Sequence, residues 1–121
     1  MAHVYYHAEQ AMRMFGGKIS DYVEINQWFD ETKEHIGDFR HRALRHHSAG
    51  IFECESVFGL TITNSDGKEV PVRLLGEMHV LADLGRVPSV ADWLSCIRPE
   101  PWMARATPVK LAHGTRRKPN D

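Results

Sequence analysis

A mainly helical α+β fold is predicted for this chain of 121 residues, on three observations. Apolar residues recur at three- and four-residue spacing through the N-terminal half. The period changes to two on either side of Asn64-Ser65-Asp66-Gly67, and Pro88-Ser89-Val90-Ala91-Asp92 has the pattern of a capping box opening a late helix. The expected order is three N-terminal helices, one β-hairpin over about residues 59–73, and one or two short C-terminal helices on a single core. A globular domain of residues 1–103 would carry a basic tail, residues 104–121.

Val4, Tyr5, Ala8, Met12 and Phe15 make one side of a first helix, which Gly16-Gly17 should end. Ser20-Asp21 offers an N-cap and an early acidic residue for a second helix, with Ile25, Trp28, Phe29, Thr32 and Ile36 on one side and a stop near Gly37. Asp38 would cap a third, longer helix reaching about Phe58, along which Leu44, Ile51 and Phe58 recur every seven residues. Gly50 weakens that helix by about 1 kcal/mol relative to alanine and marks either a close approach of backbone or a break into two helices.

Leu60 and Ile62 then alternate with Thr61 and Thr63, and Val70 and Val72 with Pro71 and Arg73, which makes a hairpin whose turn needs positive φ near Gly67. Pro71 lacks an N–H donor, so the second strand should be an edge. A short helix is expected over residues 77–84, ending at Gly85, and a last one carrying Trp93, Leu94 and Ile97 into the core. Pro99-Glu100-Pro101 stops it, and Trp102 should pack back onto the body.

A chain of this size can bury roughly two thirds of its unfolded surface, enough for one core. No run of about 18 apolar residues exists and the first fifteen residues lack a signal-peptide profile, so a soluble, cytoplasmic protein without a membrane partner is expected. Cys54 and Cys96 are isolated, form no metal knuckle, and read as reduced, partly buried thiols. Arg105, Lys110, Arg116, Arg117 and Lys118 against Asp121 give residues 104–121 a balance of +4, leaving residues 1–103 at −5. The cluster Arg116, Arg117 and Lys118 could hold nucleic acid or another acidic surface.

Imidazoles and carboxylates gather most densely in His41-Arg42-Ala43-Leu44-Arg45-His46-His47, followed by Glu53, Cys54 and Glu55, with Glu77, His79 and Asp83 further on. On an unbroken helix His46 and Glu53 share a face. His46, His47, Glu77 and His79 are the metal ligands this spacing suggests, for zinc or a similar divalent ion, with Glu53 as general base. If the segment after the hairpin is extended, Glu77 and His79 point the same way; if it is helical, His79 and Asp83 do. No HExxH, GxSxG, P-loop or GxGxxG pattern is present.

The segments His46-His47-Ser48-Ala49-Gly50-Ile51-Phe52, Thr61-Ile62-Thr63-Asn64-Ser65-Asp66-Gly67-Lys68, Gly76-Glu77-Met78-His79-Val80 and Asp83-Leu84-Gly85-Arg86-Val87-Pro88 resemble a family of small proteins encoded by bacteriophages and prophages, with no assigned function. The resemblance covers roughly residues 5–103 and implies a role in host takeover, counter-defence or the virion, in the host cell or associated with the virion. The first expectation is therefore a non-enzymatic protein, without a cofactor, that binds another macromolecule, a protein partner ahead of others, with a homodimer through the hairpin edge. The alternatives are a metal-dependent hydrolase or nuclease and nucleic-acid binding through the tail.

Overall fold

The computed structural model of the protein describes residues 3–106, 108 and 109. Helix α1 (Val4–Phe15) starts at His3, whose Nδ1 accepts from the Tyr5 N–H, and buries His7, Ala8 and Ala11. Helix α2 (Ser20–Asp30) follows and buries Tyr22, Ile25, Asn26, Trp28, Phe29 and Asp30. Beyond Asp30 the winding tightens to a 3₁₀ turn, Glu31–Glu34, so the second helix is shorter than its apolar spacing suggests.

The long third helix is not continuous. A 3₁₀ turn (Phe39–His41) capped by Asp38 leads into a single turn, α3 (Arg42–Arg45), and the chain leaves helical geometry at His46 and His47 before α4 (Ser48–Phe58) begins. His47 is extended and acts as the cap of α4, its Nδ1 accepting the Gly50 N–H at 2.9 Å while its Nε2 lies 3.1 Å from the Leu44 carbonyl. Both readings of Gly50 are realised together: a Cβ there would sit 2.6 Å from the Arg45 carbonyl carbon and closer still to its oxygen, so only glycine lets the two helices meet across the break.

The hairpin forms as expected, from β1 (Thr61–Thr63) and β2 (Glu69–Pro71) paired antiparallel with Ile62 opposite Val70. Gly67 takes φ 79 in the turn. Asn64 organises that turn by accepting the Asp66 and Lys68 N–H groups, and it donates to the Phe15 carbonyl and the Tyr22 hydroxyl. Asp21 accepts the Ser65 N–H and hydroxyl, so the turn is fastened to the start of α2.

Val72 and Arg73 are helical, not strand: α5 (Val72–Leu84) begins directly after Pro71, and its buried face of Val72, Leu75, Gly76, His79 and Val80 follows helical period. Gly76 brings this helix close to its neighbours, since a Cβ would lie 3.0 Å from Phe29 Cζ and 3.2 Å from Ile51 Cγ2. Helix α6 (Val90–Leu94) has the reciprocal Ser89/Asp92 capping box. Leu94, Ile97 and Trp102 are exposed, the last at 66%, so the core ends before them: Ala8, Tyr22, Ile25, Phe29, Ile51, Cys54, Val70, Val72, Leu75 and Val80 supply it from α1, α2, α4, β2 and α5. Cys54 is buried and Cys96 exposed, and both are free thiols. No helix of the described residues is long and apolar enough to cross a membrane.

Candidate metal centre

Three parts of the chain converge on one buried group of four side chains. Helix α2 ends on Asp30, the break after α3 turns His46 inward, and α5 contributes His79 and Asp83 one turn apart. His7 from α1 and His41 from the 3₁₀ turn flank them, both buried. The break is held from outside by α6, because Trp93 Nε1 donates to the His46 carbonyl at 3.0 Å.

Asp83 is the hub. Its Oδ2 lies 2.9 Å from His46 Nε2 and 3.3 Å from His79 Nε2, and its Oδ1 lies 3.2 Å from His7 Nε2. Asp30 Oδ1 stands 3.6 Å from both His46 Nε2 and His79 Nε2, beyond hydrogen-bond reach. Each of Asp30, His46, His79 and Asp83 offers a ligand atom within 4.8 Å of the other three. Ligands about 2.0–2.1 Å from a metal are about 2.9 Å apart at adjacent octahedral positions and about 3.4 Å apart in a tetrahedron. The four separations between these imidazoles and carboxylates run from 2.9 to 3.6 Å, the two to Asp30 slightly beyond the tetrahedral value.

The tautomer of His79 follows from its neighbours. Asn26 Nδ2 donates to the Tyr22 carbonyl at 2.7 Å, so the oxygen of the same amide is the atom 2.8 Å from His79 Nδ1, and Nδ1 must carry the proton. The neutral ring therefore turns a bare Nε2 lone pair toward Asp30 and Asp83, as a histidine ligand steadied by an outer hydrogen bond does. Phe29 stacks beneath His79 with ring centroids 4.9 Å apart and meets His46 edge-on, giving the group an apolar floor.

Charge is shared unevenly. Burial pushes Asp83 toward the neutral acid, but contacts with His46, His7 and His79 outweigh it and hold the carboxyl far below its ordinary range. Burial opposes charge on Asp30 too, and His79 again prevails and lowers it. Burial lowers His46 despite Asp83 beside it, and lowers His41, so both rings favour the neutral form that binds metals. For His79, burial is outweighed by Asp30 and Asp83, which raise it.

Beyond the His46–Asp83 and His79–Asn26 bonds, many polar atoms of the group have no hydrogen-bond partner. Among the described residues, every buried side-chain nitrogen or oxygen without a hydrogen-bond partner belongs here: His7 Nε2, both Asp30 oxygens, His41 Nε2, Arg42 Nε, His46 Nδ1, His79 Nε2 and Asp83 Oδ1. Elsewhere the fold pairs such atoms, as Asn64 and Asn26 show. A purely structural network would be expected to close its own bonds, because an unpaired buried polar group costs about 1–3 kcal/mol.

Of the ligands suggested by sequence spacing, His46 and His79 meet here, and His47 and Glu77 do not. His47 is occupied in capping α4, and Glu77 sits two residues before His79 on a helix, turned outward to Arg73 at 3.7 Å. Glu53 is exposed, because the break puts His46 outside the helix that carries it and removes the shared face. Arg116, Arg117 and Lys118 lie outside the described residues. The helical alternative for the segment after the hairpin, aligning His79 with Asp83, is the one realised. Asp30 and His7 escaped the spacing search; the available signal was a polar residue on the apolar face of each helix, beside Phe29 in one case and Ala8 in the other.

A family model described as Domain of unknown function (DUF6915) matches residues 2–103. No curated protein and no solved structure matches the chain.

Proposed function

The chain belongs to that family, whose description assigns no activity, and from the site itself we propose a metalloprotein that holds one divalent transition-metal ion on Asp30, His46, His79 and Asp83 and uses it in hydrolysis. The observation that carries the reading is the coincidence of the unpaired buried atoms with a ligand-competent group. Two imidazole nitrogens and two carboxylate oxygens suit zinc, iron, manganese or cobalt better than calcium or magnesium. Such an ion would supply a Lewis acid and an activated water, with the buried rings of His7 and His41 flanking it. Solvent reaches the edge of the site from two sides, through a depression of about 330 Å³ over His7 and His79 and another of about 350 Å³ touching Asp30.

Elemental analysis of protein purified without chelators, followed by hydrolysis of a panel of p-nitrophenyl carboxylate, phosphate and sulfate esters, tests this. About one metal per chain, lost in His46→Ala and His79→Ala together with activity, is the expected result. Metal-free protein whose melting and hydrolysis ignore both added metal and chelator overturns it.

A second reading, binding of a protein partner or a second copy, is supported by the hairpin, whose two strands are both edges, and by Leu60 beside it, 72% exposed. Sedimentation equilibrium distinguishes it: a dimer that Thr61→Pro disrupts supports pairing through β1, and a monomer at all concentrations removes the homodimer.

A further inference from the structure

Arg42 is a cation without an adequate counterion. Its side chain is 14% exposed, its Nε is fully buried with no hydrogen-bond partner, and its nearest carboxylate contact is Asp83 Oδ1 at 3.8 Å. Four more exposed arginines are better served: Arg13, Arg40, Arg45 and Arg86 each lie within 3.0 Å of a carboxylate oxygen, while Arg73, open to solvent, stands 3.7 Å from Glu77. A buried guanidinium held apart from its partner is costly unless a further anion completes it.

Asp83 cannot be that anion once the metal is in place. Its Oδ2 then serves the ion, its Oδ1 already faces His7 at 3.2 Å, and its charge is divided between them. Resting on the metal reading above, we infer that Arg42 and the metal together bind a phosphoryl group, the metal taking one oxygen and the guanidinium fork taking two others. The Arg42 terminal nitrogen stands 3.8 Å from an oxygen of Asp83, itself one of the four ligand candidates, so the guanidinium borders the metal centre directly. A phosphoryl group has the three terminal oxygens this needs, whereas a monocarboxylate has two. The substrates of the site are thus phosphate esters in preference to carboxylate esters.

The test is isothermal titration of zinc-loaded protein with inorganic phosphate, with metal content measured on the same samples. Saturable phosphate binding is expected, lost on removing zinc, weakened at least tenfold in Arg42→Gln, and unchanged in the exposed control Arg40→Gln. Should Arg42→Gln fail to fold, Arg42→Lys keeps the charge and still loses at least fivefold, because one ammonium cannot present two parallel N–H groups. Acetate should bind at least tenfold more weakly than phosphate. Zinc-loaded protein that binds no phosphate, binds it independently of Arg42, or prefers acetate overturns the inference and leaves the metal centre standing; protein that takes up no zinc overturns both.

Discussion

Replacing Asn26 by leucine probes the metal centre through a residue that no metal would touch. Asn26 is fully enclosed, and its oxygen accepts the His79 Nδ1 proton at 2.8 Å while its nitrogen donates to the Tyr22 carbonyl. The Tyr22 carbonyl lies inside α2 and retains its helical bond, so losing the second donor there costs little. His79 loses the acceptor that fixes its tautomer, and a histidine deprived of such a partner typically binds metal 10–100-fold more weakly, about 1.4–2.7 kcal/mol. In the metal-free protein the same change leaves one buried N–H unpaired, about 1–3 kcal/mol. Competition against a chromophoric chelator at pH 7.5 measures the first quantity, and melting in excess chelator measures the second. Asn26→Asp, which keeps the acceptor, should restore affinity to within a few-fold of the parent. Unchanged affinity in Asn26→Leu, alongside a lowered melting temperature without metal, would show that Nε2 of His79 is not a ligand.

Gly50→Ala should destabilise by about 3 kcal/mol, since the new Cβ collides with the Arg45 carbonyl across the break, and thermal melting should fall by about 10 °C; a change under about 2 °C would show that the break is not held so closely. Burial pushes the Cys54 thiol up to about 12 while Cys96 is exposed, so native protein should consume one equivalent of a thiol reagent quickly and a second only after denaturation. Metal-free protein should lose stability on acidification in two stages. His46 and His41 are lowered in the fold, so their contribution falls away as pH drops below the unfolded value near 6.5, while His79, which is raised, opposes that change over the same range. The depressed carboxyls of Asp83 and Asp30 stabilise above about pH 4 and cease to do so as pH falls further. Melting temperatures of chelated protein from pH 8 to pH 3 check this, and a steady rise on acidification would contradict it.

The parts of the fold governed by local chemistry were legible in the residues. Asn64-Ser65-Asp66-Gly67 carries its own turn, Ser89 and Asp92 cap each other across three positions, and α1 and α2 start where an apolar stripe begins. The break before α4 was not, because residues 38–58 keep helical period straight through it and histidine is an unusual cap; only Gly50 signalled it. The start of α5 was misplaced for a related reason: Val70 and Val72 alternate like a strand, and what makes Val72 helical is its packing into the core beneath α2 and α4. The missed break accounts for Glu53, which a continuous helix aligns with His46. Glu77 belongs only to the extended alternative for its segment, the helical one pairing His79 with Asp83, and Asp30 was missed as a polar residue on an apolar face. Asp30 is a carboxylate on the face that buries Ile25 and Phe29, a conflict between pattern and chemistry of the kind found at functional or strained positions.

The most direct measurement is anomalous diffraction from crystals grown with one equivalent of zinc, recorded on both sides of the zinc absorption edge. An edge-dependent peak about 2.0–2.2 Å from Nε2 of His46, Nε2 of His79 and an oxygen each of Asp30 and Asp83 is the expected result. Crystals of zinc-equilibrated protein with no such peak, and with those four side chains bonded only to one another and to water, would contradict the metal centre outright.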